Sequence, residues 1–287
     1  MGLYVHVPFC QTRCPYCDFN TYQGIENLVA PYLEAVTAEF GLWGRVLQRP
    51  AVNTVFFGGG TPSYLSDGCI GRMLAAARTA FDVQEDAEIT LEANPGDLGQ
   101  AACERLLSQG INRLSMGVQS LDGGLLILLG RRHSAEQAVE AFRAARHAGF
   151  NDISLDLMYG LPHQSLAQWR DTLEAAVSLG PTHLSLYCLT LEEGTPLHRQ
   201  VKQGKLPEPD PDLAADMYGH AREFLAGPGF HHYEISNWAR PGYIARHNLG
   251  YWLNKPYLGV GPGAHSRLGR YRFWEENSPR TYISRVK

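Results

Sequence analysis

Three cysteines, Cys10, Cys14 and Cys17, fall within the stretch LYVHVPFCQTRCPYCDFNTY, residues 3–22, with the spacing C-x3-C-x2-C. No fourth cysteine is near them: Cys69, Cys103 and Cys188 stand alone further along the chain. Soft thiolates select zinc, copper(I) or the iron of iron–sulfur clusters. A structural zinc site takes four protein ligands, usually from two knuckles far apart in sequence, and the second knuckle is missing here. His6 is close by, but it lies in an apolar alternating run four residues before Cys10 and is poorly placed for the same metal. A [4Fe–4S] cubane also normally takes four cysteines. Three thiolates from one short loop therefore leave one iron without a protein ligand, open to a small molecule. The cluster is favoured over zinc, and a purely structural trio comes behind both. The isolated Cys69, Cys103 and Cys188 are expected to be small buried apolar residues.

Placing such a loop requires a scaffold. Apolar and β-branched runs at 3–7, 54–57, 88–92, 113–118, 153–158 and 183–189 predict six strands. Between them, 28–47, 71–81, 101–108, 135–147 and 167–178 predict helices, with Gly110, Gly149 and Gly180 as C-cap signals. Six βα units in a row imply an α/β fold with a parallel sheet, either open or curled toward a barrel. The rhythm fails after Leu191, which argues against a full eight-stranded barrel. Residues 192–212 form a Pro/Gly/charge-rich connector, a helix is expected over 213–225, and the aromatic, turn-rich remainder is expected to pack on the barrel. Two units are thus expected, 1–210 and 211–287, and the final SPRTYISRVK suggests no closing element.

In parallel α/β folds the chemistry sits beyond the C-terminal ends of the strands. There the sequence places the cysteine loop, GGGTP at 58–62, EANP at 92–95, GVQS at 117–120, LDLMYGLP at 155–162 and YCLT at 187–190. Three consecutive glycines allow backbone to approach a ligand closely. Tyr4, Glu92, Gln119, Arg131 and Asp156 are polar groups at or near this rim. An ammonium wants an acceptor, a carboxylate wants Arg, Gln or Tyr donors, and a ribose diol wants a carboxylate such as Asp156 or Glu92.

The 287 residues carry a formal net charge of -4, so no global basic field recruits nucleic acid or an anionic membrane. No apolar run is long enough to span a bilayer and no signal-peptide pattern opens the chain, so the cytoplasm is expected and membrane contact is at most peripheral.

The C-x3-C-x2-C loop after the first strand of a βα series resembles the signature of the radical S-adenosylmethionine (SAM) superfamily. That resemblance implies a partial (βα)6 barrel of the TIM type with a C-terminal α+β extension. It implies a [4Fe–4S] cluster on Cys10, Cys14 and Cys17, with SAM on the open iron, cleaved by the reduced cluster to a 5′-deoxyadenosyl radical. The glycine motif, through Gly59, Gly60 and Thr61, resembles the segment that holds the methionine amino group. Tyr4, Glu92, Gln119, Arg131 and Asp156 match SAM contacts of the coproporphyrinogen-oxidase branch, with Thr190 and backbone near Tyr16 as further contacts.

Within that branch, FFGGGTPSYL, LSMGVQS, LGRRH and LDLMYGLP resemble both HemN-type coproporphyrinogen III dehydrogenases and HemW-type haem chaperones. HemN-type chains carry an extra cysteine two residues after the third; here Phe19 stands there, as in the HemW type. Residues 247–252, HNLGYW, resemble a HemW-type motif in which a histidine beside aromatics suits haem. His247 is the expected haem ligand, with His231, His232 and His265 as alternatives. The chain starts almost at the first strand, without the N-terminal extension of HemN-type enzymes, and the family is expected to continue into a helical C-terminal domain. The resemblance implies haem and an apo-haemoprotein acceptor as partners, a reductant for the cluster, and a homodimer as one assembly. The rivals are a coproporphyrinogen III dehydrogenase, a radical SAM tRNA-modifying enzyme, which would call for a basic surface, and a zinc-stabilised binding module.

Overall fold

The computed structural model describes residues 1–66 and 68–286. Alternation at period two builds β1 (Gly2–Val7), and 3.6-residue periodicity builds α1 (Val29–Val46). The series continues through β2 (Ala51–Gly59), α2 (Cys69–Ala80), β3 (Asp82–Ala93), α3 (Gln100–Ser108), β4 (Arg113–Gln119) and α4 (Gly123–Leu128). It runs on through α5 (Ala135–Ala148), β5 (Asp152–Tyr159), α6 (Leu166–Ser178) and β6 (His183–Cys188). Helices α5 and α6 open on capping boxes, Ser134 with Gln137 and Ser165 with Gln168, and α5 ends at Gly149 with φ of 109°.

β1 to β6 pair in parallel and in sequence order. Alternate positions of each strand differ in character. Val5, Val55, Leu91, Leu114, Leu155 and Leu184 are fully buried in the apolar core. Tyr4, Phe56, Glu92, Ser115, Asp156 and Ser185, one position away, line a cavity instead. The inner face of the curled sheet is therefore a polar well rather than a packed core.

The last third does not simply pack on this sheet; it extends both edges. After α7 (Pro196–Lys202), which occupies the expected connector, and α8 (Pro211–Ala226), the hairpin β7 (His231–Glu234) and β8 (Asn237–Ala239) adds antiparallel beyond β6. The chain then returns through α9 (Arg246–Trp252) to β9 (Tyr257–Val260), which pairs in parallel with β1. β10 (His265–Leu268) and β11 (Tyr271–Trp274) complete an 11-stranded sheet that spans both sides of residue 210. SPRTYISRVK is not featureless: Pro279–Val286 form α10 against α1. There Tyr282 donates its hydroxyl to the buried carboxylate of Glu39, which also accepts from Gly261 N. α9 is anchored by Glu88 of β3, whose carboxylate accepts from Arg246 N at 2.6 Å and His247 N at 2.9 Å.

Candidate functional site

The sequence-predicted residues meet. Cys10, Cys14, Cys17, Tyr4, Tyr16, Gly59, Gly60, Thr61, Glu92, Gln119, Arg131, Asp156, Thr190 and His247 all line one cavity of about 600 Å³ inside the curled sheet. That volume is within the range that holds small ligands.

At its mouth the cysteine loop is strapped to its neighbours. Gly60 N donates to Val7 O and Thr61 N to Phe9 O, each at 2.8 Å, and Cys10 Sγ lies 3.3 Å from Thr61 Oγ1. The glycines have packing reasons of their own: Gly59 has φ of 106° and lies against the His6 ring, and a Cβ on Gly60 would stand 2.6 Å from Val7 O. His6 is fully engaged, bonding Tyr4 OH through Nδ1 and Asn20 O through Nε2, both at 2.9 Å. Asn20 in turn donates to Pro262 O and Asn277 O, each at 2.9 Å, tying the cysteine loop to the last third of the chain.

Burial pushes the Cys10 and Cys17 thiols up, the Thr61 hydroxyl opposing this at Cys10 and the Phe19 backbone at Cys17. Arg131 reaches Cys14 Sγ at 3.4 Å and Gly117 O at 2.6 Å, while its Nε is buried without a partner. A cation with an unmet donor beside three thiols fits a site built for anionic sulfur and a carboxylate ligand. Among the described residues no three His, Cys, Asp or Glu side chains are grouped to hold a single metal ion. Three thiols from one loop, with no fourth protein ligand beside them, suit three irons of a cubane better than a four-ligand zinc site.

Deeper in the well, Glu92 Oε2 accepts from Gly59 N at 3.0 Å, and burial pushes its carboxyl up to about 7. Asp156 is also raised by burial, with Ser115 at 2.8 Å and Ser154 at 3.1 Å donating to it. Gln119 sits at φ of 67° beside a register shift after Gly117, turning its side chain toward Arg131. Arg113, Ser115, His183, Ser185, Asn237 and Asn248 also line the well and were not anticipated. The signal for the first four is polar residues at every second strand position, as in RLS and HLS; Asn237 and Asn248 carry none.

One expectation needs correction. Cys188 is exposed and lines the cavity, because it ends β6 at the uncovered rim. His247 is on the cavity wall but offers no free nitrogen. Nδ1 bonds Thr54 Oγ1 and Nε2 bonds Tyr251 OH, each at 2.8 Å, and the ring stacks on Phe56 at 5.3 Å. Burial holds its pKa down at about 3, so it is neutral. Of the alternatives, His231 and His232 lie on the far edge strand, His232 stacked on Trp238 at 4.3 Å; His265 is exposed beside Trp274.

A curled βα sheet with three thiols from one loop at its C-terminal rim defines a class, and residues 4–176 match the radical SAM superfamily. The coproporphyrinogen III oxidase HemN of Escherichia coli, described as a radical SAM enzyme, superposes with a TM-score of 0.88 at 27% identity, over 99% of this chain and 68% of that one. The heme chaperone HemW of Mycobacterium tuberculosis is 42% identical over 284 residues, covering 98% of this chain and 73% of that protein. The mitochondrial radical S-adenosyl methionine domain-containing protein 1 of Bos taurus is 44% identical over 93% of this chain and 60% of its own length. The chain belongs to the radical SAM superfamily and, within it, to the HemW family. Membership of the superfamily implies a [4Fe–4S] cluster and SAM.

Proposed function

We propose that this chain is a haem chaperone that binds a [4Fe–4S] cluster, SAM and haem and passes haem to an apo-haemoprotein. The observation that carries this reading is that HNLGYW, on α9, and the three-thiol loop face the same cavity, although more than two hundred residues separate them. Cys10, Cys14 and Cys17 would hold the cluster, and Arg131, Gln119, Glu92 and Asp156 would receive the carboxylate, ammonium and ribose of SAM. Bound together, cluster and SAM supply one-electron reductive chemistry, for which a reductant is needed. His247 would hold the haem iron once Tyr251 released Nε2; the imidazole is already neutral. No helix among the described residues is long and apolar enough to cross a membrane, which accords with work in the cytoplasm.

The test is optical titration with haem of anaerobically reconstituted protein, alongside an assay for coproporphyrinogen decarboxylation with SAM and reductant. Stoichiometric haem binding without decarboxylation supports the chaperone. Turnover of coproporphyrinogen would replace it with the dehydrogenase reading that the HemN-like architecture allows, and would make Phe19 an unreliable marker.

A further inference from the structure

Beyond Tyr4, Glu92 and Tyr251 a second cavity of about 700 Å³ opens between β1, the end of α9 and the β9–β11 strands. It shares Tyr4, Phe19, Gly59, Glu92 and Tyr251 with the first, so the two have a common wall. Its outer wall has a different chemistry. Lys255, Arg267 and Arg272 contribute positive charge there, and Glu92 is the one acid on that wall among the described residues.

Arg267 and Arg272 are directly opposite each other on β10 and β11. Like charges facing across an antiparallel pair repel and destabilise the sheet. Nothing nearby relieves them: Arg267 donates only to the Asn254 carbonyl. Arg272 has neither an ion pair nor a hydrogen bond among the described residues. Aromatic rings share the wall with Asn20, Asn254 and two glycines. Tyr251 and Tyr257 pack edge to face at 4.6 Å, and Phe19 is 66% exposed at the opening. A space that is both aromatic and cationic suits a flat apolar ring that carries two carboxylates on one edge.

We propose that this second cavity is the tetrapyrrole seat: the ring lies against Phe19, Tyr251 and Tyr257, and its two propionates bind Arg267 and Arg272, with Lys255 beside them. This assignment rests on the haem-chaperone reading and gives it a location. Tyr251 links the seat to His247, because its hydroxyl holds Nε2 while its ring forms part of the seat. His247 itself lines only the first cavity, so the seat meets the imidazole through Tyr251.

The experiment is equilibrium titration of the full chain and of R267Q/R272Q with two probes, haem and haem dimethyl ester, in which both carboxylates are masked. The wild type is expected to bind haem at least about tenfold more tightly than the diester, a modest return for two charge-assisted contacts. The double variant is expected to bind both probes equally, at the diester's level, with cluster content unchanged. R272Q alone is expected to raise Tm while weakening haem, since it removes a repulsion together with a contact; a merely structural arginine would do the opposite. If the double variant loses cluster absorbance, R272Q on the exposed edge strand carries the same two-probe comparison. Haem binding by the wild type with no diester discrimination and no effect of the substitutions overturns this seat and leaves the chaperone reading standing. Absence of any haem binding by the wild type overturns both.

Discussion

The cysteine loop and the histidine of α9 both present soft or borderline ligands to the same cavity, and they are held in opposite ways. Two of the three thiols have weak partners, Cys10 with Thr61 at 3.3 Å and Cys14 with Arg131 at 3.4 Å, and all three line the mouth of the cavity. His247 is 4% exposed with both nitrogens in 2.8 Å bonds. One site needs only deprotonation to take iron; the other needs a bond broken first. On the proposed function, the difference suits a protein that keeps one prosthetic group and hands over another, because a bond that reforms on release would offset part of the energy lost when haem departs.

The largest effect expected from disturbing this contrast is at the thiols. Cys10→Ala, Cys14→Ala or Cys17→Ala should each abolish cluster assembly, measured as iron and sulfide after anaerobic reconstitution; a triple-alanine variant with full iron and sulfide would refute the site. His247→Ala should leave the cluster intact but strand the Thr54 and Tyr251 hydroxyls, costing about 2–4 kcal/mol by denaturant unfolding and weakening haem retention. An unchanged haem titration, run well below Tm, would remove His247 from the ligands. Tyr251→Phe separates the two roles: it should lower stability by about 1 kcal/mol yet tighten haem binding, because Nε2 is no longer occupied. Weaker binding in that variant would break the comparison.

Glu92 gives a pH signature. Its folded pKa of about 7 lies above its ordinary value of 4.5, so the folded state holds the proton more tightly than the unfolded chain does. Its contribution to stability is present below about pH 4.5 and is lost as pH rises through 7. Glu39, also pushed up to about 7 by burial, adds a slope in the same window. The diagnostic is therefore the difference between wild type and Glu92→Gln, which should be the flatter of the two. Binding of the SAM cation should tighten between pH 6 and 8 in the wild type and not in Glu92→Gln, read by calorimetry. The smallest effect is at Cys188: Cys188→Ser should leave iron, sulfide and haem titration unchanged, since this exposed thiol ends β6 and is not part of the C-x3-C-x2-C loop.

The six parallel strands are found within about three residues of where periodicity put them at nearly every end. β2 and β3 begin earlier, where polar residues continue the strand. Helix ends at Gly110, Gly149 and Gly180 all have positive φ, the conformation glycine tolerates best. α7 escaped notice although Thr195 caps it and Pro196 opens it. β7 to β11 are three or four residues long, too short for alternation to register.

The sequence by itself determined the α/β fold, its superfamily and the three-thiol loop, because those cysteines are neighbours in the chain and each rim motif follows its own strand. Only the tertiary structure decided what the last third does. β9 pairs with β1 across some 250 residues, α9 is capped by Glu88 of a distant strand, and Asn20 is held by Pro262 and Asn277. The bound imidazole, with Thr54 on one nitrogen, exists only once those segments meet. A ligand set within one loop is written in local spacing; a wall assembled from both ends of a chain is fixed by pairing and burial, which leave no period to read.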